Sequence, residues 1–267
     1  MNNQNERSVS LKREQYYLVA SLLGLPNLLG VEDPFLGLLA EEIREELIRA
    51  RAELMECGML EMCIDGSVTL NMVVFSMMQA IISARRTFIG SFSSNQGQSC
   101  HRLIHQSPDL LVEQECLPDG QITLTAIRDQ ETLLNRLKGF YWLIDTVAGT
   151  GSAITLVESD FSAARQIADK TGKTACRDFL VRGGTAPATA DALAAVLAEP
   201  TGTGSISTLY REAKEIRYGD SLAWIIGVAG TWCMQPVSQI PPTVRLFPAS
   251  GTEIRARINQ IVYSGIA

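Results

Sequence analysis

Val9-Ser10-Leu11 stands near the beginning of the chain, and Tyr16 follows Leu11 by five positions. Ile154-Thr155-Leu156 repeats this spacing in the second half, where Phe161 follows Leu156 by five positions. In both places two apolar residues flank one polar residue, as in a short strand, and an aromatic residue opens the helical pattern that follows. The sequence therefore contains the same strand-and-helix unit twice.

A second pair of matching segments closes each half. Ile122 and Leu124 alternate with polar residues ahead of an amphipathic helix, and Val244 and Leu246 do the same near the end of the chain. An internal repeat of this size indicates one pseudo-symmetric domain. We expect this domain to cover residues 1–267, with half-repeats of about 8–148 and 149–267.

Helical and strand-like periods alternate within the first half. One helix is predicted to start at Asp33-Pro34 and stop at Gly58, and another to run from Val68 to Arg85, capped by Thr69 or Asn71. The period then changes to two, and short polar turns separate the segments, which favours antiparallel neighbours. The predicted strands are Thr87–Ser93, Cys100–Gln106, Leu110–Cys116 and Gln121–Ile127.

The second half follows a similar plan. Helices are predicted around Phe161–Ala168, Cys176–Leu180 and Ala188–Leu197. Thr201–Ser205 is interpreted as a turn or linker because it precedes an apparent strand. The predicted fold is mixed α/β, with a quasi-twofold, mostly antiparallel central sheet flanked by helical bundles. Its later strands are Ile206–Tyr210, Leu222–Val228, Thr231–Pro236 and Thr243–Phe247, followed by a helix over Thr252–Ile261.

The composition is that of an ordinary globular protein, with 46% hydrophobic and 19% charged residues. A net charge of −6 opposes binding to nucleic acid, because it repels phosphate. No signal peptide is visible, and apolar runs such as Leu222–Val228 are too short to span a bilayer. We therefore expect a cytoplasmic protein without membrane insertion, whose six scattered cysteines are reduced.

The sequence offers little for catalysis. His101 and His105 share one face of a strand, but no carboxylate partner lies nearby for a metal site. Gly149–Ser152 and Gly202–Ser205 lack the Lys-Ser/Thr pair of a phosphate-binding loop. We predict no catalytic residue, no metal and no cofactor, although distant paired carboxylates stay open as an enzymatic alternative.

Two further features have competing interpretations. A methionine cluster either fills the core or forms an adaptable binding surface; it comprises Met55, Met59, Met62, Met72, Met77 and Met78. Residues 39–85 also resemble part of a winged helix, which makes a transcriptional regulator the alternative function. Its helix is rich in glutamate, a poor surface for DNA.

The order of elements resembles the EspG family, the cytosolic chaperones of type VII (ESX) secretion systems. Three segments carry the resemblance: Ser8–Leu11 with its aromatic-led helix, the meander from Arg86-Thr87-Phe88-Ile89-Gly90 to Ile127, and the stretch from Leu193 to Ile261. The resemblance implies a non-enzymatic protein that binds an apolar helical tip of a secreted helical-hairpin substrate. The oligomeric state stays open, a homodimer included.

The resemblance also implies where the partner binds. A polar hairpin tip, Ser94–Ser99, and a helical bundle of the second half would contact it. The residues expected at this site are Phe92, Ser94, Asn95, Gln96, Gln98 and Leu103 at the hairpin, and Phe179, Leu180, Leu193 and Val196 in the bundle.

Overall fold

A computed structural model describes residues 7–25, 28–141, 146–212 and 215–264. The described residues form strands and helices in the order β1 (Ser8–Lys12), α1 (Arg13–Leu22), α2 (Ala40–Glu56), β2 (Leu60–Met62), β3 (Val68–Leu70), α3 (Met72–Ile82), β4 (Arg86–Ser94), β5 (Ser99–Gln106), β6 (Leu111–Cys116), β7 (Gln121–Ile127), α4 (Gln130–Phe140), β8 (Ile154–Val157), α5 (Glu158–Thr171), α6 (Lys173–Arg182), α7 (Pro187–Ala198), β9 (Pro200–Glu212), β10 (Glu215–Gly227), β11 (Gly230–Gln239), β12 (Pro242–Pro248) and α8 (Gly251–Tyr263).

One large sheet has the strand order β1-β7-β6-β5-β4-β9-β10-β11-β12-β8, and β2 and β3 form a separate hairpin. The pairs β1–β7, β6–β7, β5–β6, β10–β11, β11–β12 and β8–β12 are antiparallel. The predicted mixed α/β class with a mostly antiparallel sheet is therefore confirmed.

The strand order reads alike from both ends of the sheet. Each half places its first strand beside its last, and the matching segments seen in the sequence are the ones that pair. Leu11 lies opposite Ile122, and Val9 lies opposite Leu124. Ile154 likewise lies opposite Leu246. The quasi-twofold repeat is thus a repeat of topology as well as of sequence.

The chain separates into two compact units whose boundaries differ from the half-repeats 8–148 and 149–267. The first unit contains the described residues up to Phe88, together with His101–Thr132 and Leu209–Arg217. The second contains Ile89–Cys100 and the described residues of the remaining chain. Each unit thus takes strand segments from both halves, and the single domain stays a prediction.

The first unit has a core built from α1, α3 and the strands they cover. Its fully buried side chains include Leu11, Tyr16, Leu54, Leu60, Val74, Met77, Met78, Val112, Ile122 and Leu124. Met77 and Met78 therefore fill the core, as one interpretation of the methionine cluster expected. Met62 and Met72 are exposed.

Two helix boundaries differ from the prediction. Asp33 does not start α2: its carboxylate accepts a hydrogen bond from the backbone N–H of Phe35 (2.9 Å), and Gly37 follows at φ +88°. That left-handed residue ends the turn, and α2 begins at Ala40. The predicted helix from Val68 is also wrong at its start. Val68–Leu70 is a strand, and Asn71 caps α3 by accepting a hydrogen bond from the N–H of Val73.

A buried polar network lies in the first unit. The carboxamide oxygen of Gln114 accepts hydrogen bonds from the Tyr16 hydroxyl (3.0 Å) and from Nε2–H of His105 (3.2 Å). Because that oxygen can only accept, Nδ1 of His105 is the acceptor for the Thr87 hydroxyl (3.2 Å). The Gln114 amide donates to the carbonyl of Leu29 (3.1 Å). The network links β4, β5, β6 and α1. Burial lowers the pKa of His105, so the imidazole is neutral at pH 7, although the hydrogen bond to Gln114 acts in the opposite direction.

No helix within the described residues combines the length and the apolar character that crossing a lipid bilayer requires.

We predict that His105 makes the free energy of unfolding fall as the pH is lowered from 6.5 towards 4. Burial lowers the pKa of His105 from 6.5 to about 4, so the unfolded chain binds a proton in this window that the folded chain does not. The loss should be on the order of 3 kcal/mol. Urea unfolding of His105→Gln at several pH values measures it.

His101→Gln is the matched control, because His101 is exposed on the same strand. In the control, the free energy of unfolding should depend on pH as it does in the unchanged protein. In His105→Gln this pH dependence should be weaker. Equal pH dependence in His105→Gln and the unchanged protein would contradict the role of this network.

Candidate partner-binding groove

The sheet of the second unit has one buried face and one half-open face. Burial alternates along β4, β9 and β10, as expected when successive side chains point to opposite sides of a strand. Phe92 and Trp224 belong to the buried face. The hydroxyls of Ser91 and Ser205 hydrogen-bond to each other (2.7 Å) across the half-open face. The half-open face therefore carries small, polar side chains.

Two glycines of β9 lie beside aromatic rings at the buried face, and at Gly204 the ring leaves no room for a side chain. A Cβ at Gly202 would touch the ring of Phe92, and a Cβ at Gly204 would collide with the indole of Trp224. Trp224 also meets Tyr141 edge-to-face at 4.7 Å between ring centroids. The Tyr141 hydroxyl donates to the carbonyl of Ser205 (3.0 Å). The β9 backbone, which forms the floor of the half-open face, is thus packed tightly on its buried side.

A groove runs over the half-open face beside α5. A cavity of about 250 Å³ opens into it, and a second of about 490 Å³ shares Arg165, Thr203 and Ile225 with the first. We call the combined surface the sheet groove. Its lining includes Ser91, Ser93, Thr203, Ser205, Ala223 and Ile225 from the sheet and Phe161, Ser162, Arg165, Gln166 and Asp169 from α5.

The sequence around β8 places α5 at this groove. α5 starts directly after β8, and Glu158 and Asp160 in its first turn interact favourably with the positive end of the helix dipole. Phe161, Ala164 and Ala168 are buried at helical spacing and anchor α5 in the core. Arg165 stands one turn beyond Phe161, is exposed, and makes no hydrogen bond or ion pair with any described residue. Within the part of the chain that the structure describes, the groove therefore has an unpaired cation on its wall.

The β4–β5 hairpin presents a polar tip in the same unit. The N–H of Ser94 donates to the carbonyl of Gln98 (2.8 Å), and Gly97 takes φ +78° in the turn. Asn95, Gln96 and Gln98 are exposed, and Ser94 is half-buried. The N–H of Asn95 donates to the carbonyl of Thr201 (3.1 Å), which fixes the tip beside the start of β9.

The remaining residues expected at the site are mostly in the core. Leu180, Leu193 and Val196 are fully buried in the core shared by α5, α6 and α7, and Phe179 is half-buried against it. Phe92 is buried under β9, and Leu103 is buried in the first unit, where it packs against Gly30. In this structure these buried side chains support the surface and are not available to a partner.

The structure adds residues that the sequence analysis missed. Thr201–Ser205 was interpreted as a turn or linker, but it lies inside β9, which runs over Pro200–Glu212. Its glycines accommodate aromatic rings, and Thr203 and Ser205 line the groove. The strict alternation of small polar residues with glycine was the available signal. Arg165 gave no signal, because an exposed arginine on an amphipathic helix is common.

The groove has the chemistry of a binding surface. Hydroxyls of its floor can donate and accept hydrogen bonds, and the short side chains allow a polypeptide backbone to approach closely. Among the described residues, no group of three or more His, Cys, Asp and Glu side chains is placed to hold a metal ion. His105 belongs to the buried network of the first unit, and His101 is exposed.

Comparison with known proteins identifies the family. The model of the EspG family matches residues 59–260. Among solved structures, the Mycobacterium tuberculosis type VII secretion system chaperone EspG5, determined in complex with the PE25–PPE41 dimer, is similar at a TM-score of 0.68. Identity is 13%, and the alignment covers 96% of each chain. No curated protein sequence gives a significant match. Since the family match spans most of the chain and the fold agrees along nearly all of it, the protein belongs to the EspG family.

Proposed function

We propose that this protein is a non-enzymatic, cytosolic chaperone of a type VII secretion system. It binds an apolar helical tip of a secreted helical-hairpin protein in the sheet groove. Family membership supports the chaperone function, and the similar EspG5 structure is of a chaperone in complex with a PE25–PPE41 dimer. The observation that carries the proposal is a half-open sheet face with small side chains beside the polar β4–β5 tip.

The shape of the sheet groove suits a helix end. Short side chains such as Ser91, Thr203 and Ala223 leave room over the floor, while Ile225 and Met234 supply apolar contact. The cation of Arg165 stands at the wall, where it can interact with the free carbonyl groups that end a helix. An interface of standard size, about 1,600 Å² in total, would shield the apolar tip from aggregation until it is delivered.

The winged-helix alternative has no supporting observation. Residues 39–85 form α2, a two-stranded hairpin and α3. The first turn of α2 carries Glu41 and Glu42, both exposed, and the exposed Glu45 follows in the next turn. A phosphate backbone would be repelled by that surface.

Thr203→Trp should block the groove. Thr203 is half-buried and lines both cavities, so an indole there occupies the space meant for the helix end. We expect at least about tenfold weaker binding, or about 1.4 kcal/mol, to a helical-hairpin substrate that co-purifies with the unchanged protein. Isothermal titration calorimetry of the purified components measures it.

Two controls accompany this variant. Thr203→Ser keeps the groove open and should bind normally. Thr252→Trp adds the same indole at an exposed position of α8 outside the groove and should also bind normally. Unchanged affinity of a correctly folded Thr203→Trp protein would show that the groove does not receive the substrate.

The polar tip should be needed for recognition but not for stability. We expect that replacing Asn95, Gln96 and Gln98 with Gly or Ser abolishes co-purification with the substrate. Their side chains are exposed, and Gly97 still closes the turn, so the melting temperature should stay the same. Pull-down and thermal unfolding measure the two effects.

Replacement of Pro118 and Asp119 with Gly or Ser is the control. These residues lie in the β6–β7 turn, and this change should leave substrate binding intact. If the substrate still co-purifies with the variant that has the altered β4–β5 tip, the tip is not part of the interface. This conclusion would hold even if Thr203→Trp showed that the groove binds the substrate.

A further inference from the structure

A second apolar surface lies on the first unit, at the β2–β3 hairpin and the start of α3. Four large apolar side chains are exposed there: Met62 (55%), Ile64 (110%), Met72 (73%) and Phe75 (38%). We call these four residues the methionine patch. Single exposed apolar residues are ordinary, but four on one short hairpin and the adjoining helical turn mark a surface for interaction.

The methionine patch stands on a fixed base. Leu60 opposes Leu70 in the hairpin and is buried, as are Val74, Met77 and Met78 on the inner side of α3. The N–H of Asn71 donates to the carbonyl of Met59 (2.9 Å), which ties the hairpin to the helix start. The inner side of α3 is therefore packed, and the four side chains of the patch are exposed along the hairpin and the start of α3.

The chain segment that carries the patch bears charge of one sign. No Lys, Arg or His occurs between residues 52 and 84. Glu56, Glu61 and Asp65 are exposed in this stretch. Two hydrogen bonds from Ser67 hold the pKa of Asp65 below its usual range, so this carboxylate stays ionised. The patch is thus an apolar surface with an acidic rim and no nearby cation from its own chain segment.

We propose that the methionine patch is a second protein-docking site, and that it binds a basic amphipathic helix of a partner protein. Unbranched methionine side chains adapt to varied apolar side chains, and a helix offers such side chains along one face with Lys and Arg at its borders. Each strand of the hairpin is three residues, about 10 Å at 3.3 Å per residue. A helix of about three turns, roughly 16 Å, covers the patch.

Charge decides against other occupants. Nucleic acid and anionic lipid surfaces carry the same sign as the rim and are repelled. A second copy of this chain docked symmetrically would bring Glu61 and Asp65 of one copy against those of the other. A positively charged helix is the occupant that gains from both the apolar centre and the acidic border.

The test uses a fluorescein-labelled amphipathic peptide of about 14 Leu and Lys residues, roughly 20 Å as a helix. A Leu/Glu peptide with the same apolar pattern is its control. Fluorescence anisotropy with the full chain should show binding of the Lys peptide only. Binding should weaken as salt is raised from about 50 to about 300 mM, because salt screens exposed charges.

Two variants locate the binding. The double variant Ile64→Ser/Met72→Ser should weaken binding of the Lys peptide at least about tenfold. The triple variant Glu56→Gln/Glu61→Gln/Asp65→Asn should remove most of the salt dependence of that binding. Leu36→Ser/Val228→Ser changes side chains that are 87% and 84% exposed elsewhere and should bind as the unchanged protein does. All these positions are exposed, so circular dichroism should show unchanged melting.

Three results would overturn the proposal. The first is equal binding of the Lys and Glu peptides. The second is equal weakening by the control variant, which would mean non-specific adsorption. The third is self-association of the unchanged protein in sedimentation that Ile64→Ser/Met72→Ser abolishes, because the patch would then join two copies. None of these results bears on the sheet groove, which Thr203→Trp tests separately.

Discussion

Antiparallel pairing of the first strand of each half with its last strand is the interaction on which the rest of the structure depends. β1 pairs with β7 and β8 with β12, and in both pairs apolar residues lie opposite apolar residues. A strand register shifted by one residue would turn every apolar side chain to the wrong face. Each pairing also fixes the start of a helix, α1 after β1 and α5 after β8.

The second of these pairings positions one wall of the proposed binding surface. Because β8 is held against β12, α5 begins beside the sheet, with Phe161 buried and Arg165 exposed at the groove wall. The floor is set independently by β9, where Gly202 and Gly204 receive aromatic rings from below. The opposite side of the same strand is left with short polar side chains. A rigid floor with little side-chain volume is the physical basis of the proposed chaperone site.

Much of this could be predicted from the sequence, and particular residues show why the rest could not. The repeat of Val9–Leu11 in Ile154–Leu156 is visible in the sequence because strand register strongly constrains which positions are apolar. The polar tip at Asn95 could be recognised because a hairpin turn is a local feature of the sequence. Leu180, Leu193 and Val196 were expected at a partner surface, yet they are in the core. An apolar helical stripe has the same pattern whether it packs on its own protein or on another. Only the tertiary structure tells the two apart.

The prediction of a turn or linker at Thr201–Ser205 was wrong for a different reason. Glycines in a polar stretch usually mark a turn. Here Gly204 is required by Trp224, which is distant in sequence, so the strand cannot be recognised locally. The methionines illustrate the same limit, since Met77 and Met78 are buried while Met62 and Met72 are exposed.

Hydrogen–deuterium exchange of the chain with and without its bound helical-hairpin substrate tests the central claim most directly. Substrate in the sheet groove should slow amide exchange in Ser91–Ser99, in Ser162–Asp169 of α5 and in Thr201–Ser205 of β9. The edge strands β1 and β8 should exchange as before. Protection confined to other segments, with these three unchanged in a stable complex, would contradict the account.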